Sequence, residues 1–228
     1  MKNTSKILMI CLALSLLGAP SLCAADTAAL DERIRECNEL FEEMSEMPDN
    51  AIPKDLISDC YGIAIFPSVL KGGFIVGARY GKGVILYHDR ENHRWSAPAF
   101  FTIKGLSYGL QIGGQAIDLI LVINNKRGMK SFLENSVTLG GDLAAAAGPV
   151  GRSAEASTDL SLKAGIFSYS RSKGLFAGIS LEGSVIKTEE KSNEAYYGTN
   201  ITVDDILFKN KAPLSKAGKD LINILQSY

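Results

Sequence analysis

Gly105-Leu106-Ser107-Tyr108-Gly109 satisfies G-x-S-x-G, the turn that presents a nucleophilic serine in α/β-hydrolases. That chemistry needs a histidine base placed after the serine in the chain. The chain's two histidines, His88 and His93, both precede it. The parallel βαβ pattern is missing as well, so glycines at a strand bend account for the match. His88, Asp89, Glu91 and His93 form a compact run of metal-ligating types, but no Cys-x-x-Cys accompanies them. A solvated hairpin loop between Tyr87 and Trp95 explains them. Gly140-Gly141 and Gly148-Pro149-Val150-Gly151-Arg152 lack the Gly-Lys-Ser/Thr of a phosphate loop, and no G-x-G-x-x-G follows a strand and opens a helix. The reading is of a chain that is not an enzyme and holds no metal and no cofactor.

Cationic side chains beside aromatics carry the more plausible chemistry. Lys104 follows a β-prone run, Lys126, Arg127 and Lys130 cluster at a helix start, and Arg152 follows GPVG. Arg171 and Lys173 sit on the turn Arg171-Ser172-Lys173-Gly174. Guanidinium holds phosphate bidentately, so such loops suit peripheral capture of phospholipid headgroups. Trp95, Tyr169 and Phe176 are the candidate membrane-contact aromatics. The competing reading is scattered solvating charge. Asp118 interrupts the apolar run AIDLILVI, where a carboxylate is costly unless paired; it is read as a tie to a turn, a lysine or an arginine rather than as a pocket residue.

Residues 1–25 read as an export signal. Lys2 and Lys6 precede the apolar core Ile7–Leu17, too short for a membrane helix, and Cys23-Ala24-Ala25 offers a cleavage site. The expected mature product is periplasmic or secreted, and held at a membrane only peripherally. Without the leader, 22 basic residues face 25 acidic ones, a net charge of about −3. No global field then attracts nucleic acid, which is not an expected partner. Cys37 and Cys60 remain after cleavage, either joined as a disulfide closing a loop of about 24 residues or left as two small hydrophobes.

Around these residues, Leu30, Ile34, Cys37, Leu40, Phe41, Met44 and Met47 recur at helical spacing across 26–47, opposite a glutamate-rich face. Pro48 ends that helix, and Pro53 opens a shorter one through about Cys60. From Gly62 the period shortens to strands at Ile63–Phe66, Phe74–Tyr80, Gly83–His88 and Ala99–Ile103, with Gly81-Lys82-Gly83 available as a turn. Leu110–Ile123 is apolar on both faces, and periodicity does not decide between strand and helix. Asn125–Asn135 reads as helix, Val137–Ala147 and Ser161–Ile186 as strand, and Ile201–Phe208 and Ser215–Gln226 as helices. The fold class expected is α+β. It is a single domain with a mostly antiparallel, Gly-rich sheet or partial barrel flanked by N- and C-terminal helices. The divisions are 26–60 for the N-terminal helices, 61–208 for the β-rich core and 209–228 for the C-terminal helix.

Five ordered blocks closely resemble the SYLF-type lipid-binding domain family: GIAIFP (62–67), GGF (72–74), WSAPAF (95–100), GPVGR (148–152) and YSRSKGLFAG (169–178). The resemblance runs from roughly Ile52 to Phe208. It implies phospholipid binding and favours Arg152, Arg171 and Lys173, which fall in its most recognisable blocks. Some eukaryotic members also engage actin. With an export signal and no SH3-type module, actin is not expected as a partner here. The first expectation is peripheral binding of anionic phospholipid. The alternative is a structural or protein-interaction domain of the cell envelope with no lipid ligand.

Overall fold

The structure is a computed structural model that describes residues 21–47, 52–134, 136–149, 165–172, 175–176 and 180–228. Helix α1 (Ser21–Ser45) is long because its apolar residues keep a three-and-four spacing with no internal proline or glycine. Leu30, Ile34, Cys37, Leu40, Phe41 and Met44 on that stripe are all buried, each such side chain contributing about 1.5–3 kcal/mol. The helix begins inside the expected leader, whose first 20 residues lie outside the described ones. Helix α2 (Lys54–Asp59) starts directly after Pro53 and buries Ile57.

The core is a ribbon of two long antiparallel strands, β1 (Gly62–Asp89) and β3 (Ala99–Ile123), running from Gly62↔Ile123 to Ile85↔Ala99. Between them β2 (Arg94–Trp95) pairs back on His88 and Asp89. Leu110–Ile123 is therefore strand. Gly81-Lys82-Gly83 is not a turn but part of continuous β1, and the glycines have another purpose. A Cβ on Gly83 would stand 2.0 Å from the Ile65 carbonyl oxygen, and one on Gly81 would stand 2.7 Å from Val69 Cγ2. The strand curls until its two ends touch, and only glycine permits that approach.

Helix α3 (Lys126–Ser131) is capped by the Asn125 side chain, which accepts from the Gly128 N–H at 2.5 Å. The sheet is completed by β4 (Ser136–Thr138), β5 (Ala145–Ala147), β6 (Ile166–Ser172), β7 (Leu175–Phe176) and β8 (Val185–Thr188). β6 and β8 pair antiparallel with β3, while β5 and β6 pair in parallel, so the curled sheet is mixed. The pairs Arg171↔Phe176 and Ser172↔Leu175 form the expected hairpin. Helices α4 (Glu190–Tyr197), α5 (Val203–Leu207) and α6 (Lys216–Gln226) end the chain.

Alternation along the ribbon divides the core. Ile63, Ile65, Val84, Phe100, Ile120 and Val122 face α1 and α6. Phe66, Ile85, Phe101, Ile103, Leu119 and Leu121 face inward toward α3 and α5. The result is a curled half-barrel of α+β class. Helix α4 was not anticipated, because EKSNEAYY has no apolar stripe. Tyr196 and Tyr197 pack its last turn on Phe100, and a polar device fixes its start. Asn193, 1% exposed, accepts from the Phe100 N–H at 2.8 Å and donates to the Phe100 carbonyl at 3.3 Å.

Candidate functional site

The outer ribbon face runs out from under the helices at Lys82 and Thr102. Directly opposed residues share a face, and residues two apart along a strand return to it. Lys82 pairs with Thr102, and Thr102 pairs on its other side with Lys187 of β8. The next row is Tyr80–Lys104–Val185 and the one beyond is Ala78–Leu106. Lys82, Lys104 and Lys187 therefore project from one face, Lys82 and Lys187 about 10 Å apart across two strand spacings. All three are exposed. Among the described residues none of them makes an ion pair.

Apolar side chains share that face in the open. Tyr80 is 48% exposed and Leu106 60%. Tyr80 and Leu70 also wall a groove of about 390 Å³ against Arg33 and Glu36 of α1. Of the acids nearby, Glu189 takes Arg33 at 3.1 Å and the Thr102 hydroxyl at 2.7 Å, and Glu32 takes Arg35 at 2.5 Å, while Glu36 in the groove wall makes no ion pair among the described residues. Sequence reasoning found Lys104 and missed Lys82, Lys187, Tyr80 and Leu106. Lys82 and Lys187 lie 105 positions apart, and only strand register joins them.

The other candidates lie elsewhere. Arg171 is held on both sides, its Nη2 2.9 Å from Asp118 Oδ2 and 2.6 Å from Glu43 Oε2 of α1. Asp118 is the expected tie, because its Oδ1 also accepts from the Ser68 N–H at 3.0 Å. Ser68, with φ 48°, sits in the bulge between Phe66 and Val69, and the carboxylate holds that turned backbone. The guanidinium is thus spent on joining α1 to the sheet. Lys126 stands 4.0 Å from Glu91 at the β1–β2 turn, and Arg127 is exposed beside it. Arg152 and Lys173 lie outside the described residues, as does the Phe176 side chain.

Two of the aromatics point inward. Trp95 is 3% exposed and stacks on His88 with ring centroids 4.4 Å apart. Tyr169 is 2% exposed and donates its hydroxyl to the Pro149 carbonyl at 3.0 Å. A Cβ on Gly148 would fall 2.2 Å from the Tyr169 ring, which gives the glycine of GPVG a packing reason. As placed, neither ring reaches a membrane surface. Cys37 and Cys60 are free thiols. Cys37 lies against the Ile65 carbonyl at 3.5 Å and Cys60 against the Ile57 carbonyl at 3.1 Å. Burial pushes both thiols up in pKa, Cys60 to about 12. The serine of G-x-S-x-G lies mid-strand, with Gly105↔Arg79 and Gly109↔Ile75 paired, so no nucleophile elbow forms there.

A family model described as Ysc84, Las17-binding protein actin regulator, matches residues 104–228, just over half of the chain. The chain belongs to the Ysc84 (SYLF) family. The rat and human SH3 domain-containing YSC84-like protein 1 are each 37% identical to it over 210 residues, 92% of this chain and 60% of theirs. LAS seventeen-binding protein 3 of Saccharomyces cerevisiae is 39% identical over 182 residues, 78% of this chain and 39% of the yeast protein. The chain thus spans about 60% of the length of its mammalian relatives. This Ysc84-family assignment corrects one expectation. Actin was set aside as a partner class, yet the family is described as an actin regulator and the yeast relative is named for binding Las17.

Proposed function

We propose that this chain is a non-enzymatic binding domain that docks peripherally on anionic phospholipid through the Lys82–Lys104–Lys187 face. The observation that carries this is three exposed ammonium groups on adjoining strands, without an ion pair among the described residues, beside exposed Tyr80 and Leu106. Each lysine near an anionic surface contributes about 1 kcal/mol, so the three together give modest, salt-sensitive affinity. Tyr80 places an amphipathic ring at headgroup level beside them. Among the described residues no helix is long and apolar enough to cross a membrane. Export of the mature chain after residues 1–25 belongs to the same reading, and the mass of the purified protein tests it.

The family description favours a second reading, in which the same face receives a protein of the actin-assembly machinery. Flotation with neutral and anionic liposomes at low and high salt, beside pelleting with filamentous actin and no vesicles, separates the two. Binding to anionic vesicles that high salt abolishes supports the lipid reading. Pelleting with actin and no flotation under any condition replaces it with the second.

A further inference from the structure

The groove between α1 and the ribbon carries a charge pattern that phospholipid docking leaves unused. Ala29, Glu32, Arg33 and Glu36 recur at helical spacing and form its α1 wall, about 10 Å long. Leu70, Tyr80 and Lys82 of β1 form the other wall. The curl of β1 brings these three together, since Val69 packs directly on Gly81. The bulge matters too. Three residues of β1 run from Phe66 to Val69 against two of β3, from Leu119 to Ile117. Without the extra residue Leu70 would share the inward face of Phe66; with it, Val69 is 3% exposed and Leu70 turns outward at 61%.

Two of the four charges in the groove are already answered, Arg33 by Glu189 at 3.1 Å and Glu32 by Arg35 at 2.5 Å. Glu36 and Lys82, one on each wall, are exposed and make no ion pair among the described residues. They share the groove with the exposed side chains of Leu70 and Tyr80. An apolar surface flanked by one unanswered anion and one unanswered cation is complementary to itself. A two-fold axis over the groove sets each Glu36 against the partner's Lys82, and the apolar pair against its own copy. We propose that this groove is a homodimer interface, its occupant a second copy of the chain. Anionic phospholipid answers Lys82 but repels Glu36, whereas a second copy answers both. Tyr80 and Lys82 then serve either the dimer or the membrane, not both at once.

The test is sedimentation velocity of the full chain without vesicles, over a wide range of concentration at low salt, with Tm recorded for every variant. The wild type is expected to pass reversibly from monomer to dimer as concentration rises, and high salt should weaken the association. Glu36→Lys and Lys82→Glu each place like charges together twice across the axis. Each is expected to weaken dimerisation at least about tenfold, with Tm unmoved because both positions are exposed. The double variant Glu36→Lys/Lys82→Glu restores opposite charges at both contacts, and so does an equimolar mixture of the two single variants. Both should recover the dimer. A wild type that stays monomeric at every concentration overturns the proposal, and flotation of that monomer on anionic vesicles would leave the phospholipid reading standing. A dimer that survives both single reversals overturns it as well. So does a mixture that fails to restore what the single variants lost.

Discussion

Arg171 and the Lys82–Lys104–Lys187 trio are two cationic groups on one curled sheet, and their surroundings give them opposite uses. Arg171 sits between Asp118 and Glu43, its charge answered twice by residues from two other elements. The lysines stand on adjoining strands with no ion pair among the described residues. A cation in a recognisable motif is not thereby a ligand site. What decides is whether the fold has already supplied its anion. The arginine, in a signature block, ties a helix to the sheet, while lysines scattered over 105 positions share one open face.

The largest expected effect breaks the arginine side of this contrast. Arg171→Met leaves Asp118 and Glu43 as unanswered neighbours and is expected to cost about 2 kcal/mol, a fall in Tm of roughly 4–8 °C. Vesicle binding by the folded fraction should not change. Thermal melting and flotation on the same preparation check both halves. Next come the single neutralisations Lys82→Ser, Lys104→Ser and Lys187→Ser. Each is expected to weaken binding to anionic vesicles about fivefold, near 1 kcal/mol, with Tm unmoved. Lys209→Ser is the control, because Lys209 is paired with Asp204 at 2.5 Å and should leave binding unchanged.

The contrast also shows what was legible before the fold was known. The stripe Leu30–Met44 was readable because helical periodicity is local, and β1 and β3 were visible as fragments because their residues suit strands. Their fusion into one ribbon was not readable. Gly81 and Gly83 look like turn residues in sequence, whereas their purpose is the approach of Val69 and the Ile65 carbonyl across the curl. Asn193 escaped because a buried amide that bonds both sides of one strand residue leaves no pattern. For the site, Lys104 was individually visible. Lys82 and Lys187 were not, because the pairings through Thr102 are long-range facts of register. Asp118 was legible because a carboxylate in an apolar run demands a partner.

Two smaller effects sharpen the account of the helix-covered side. Burial, chiefly, holds the His88 pKa below its ordinary value of 6.5. The folded state therefore resists a proton that the unfolded chain accepts, so stability should decline as pH falls from about 6.5 through the depressed folded value. Melting between pH 7.5 and 5 should show that slope, and His88→Gln should flatten it. Smallest of all, Cys37 and Cys60 should stay unmodified by iodoacetamide in the folded protein and both react after denaturation, since burial keeps them as thiols. Alkylation of both Cys37 and Cys60 in non-reducing denaturant would exclude a bridge, and alkylation of neither would establish one.

The central claim is tested most directly by flotation on anionic vesicles, run side by side for the wild type, Lys82→Glu/Lys104→Glu/Lys187→Glu and Arg171→Met, with Tm recorded for each. The account predicts that the triple variant stays with the soluble fraction at near wild-type Tm, while Arg171→Met floats yet melts lower. A triple variant that floats like the wild type, or an Arg171→Met chain that keeps its Tm and loses the vesicles, would contradict it.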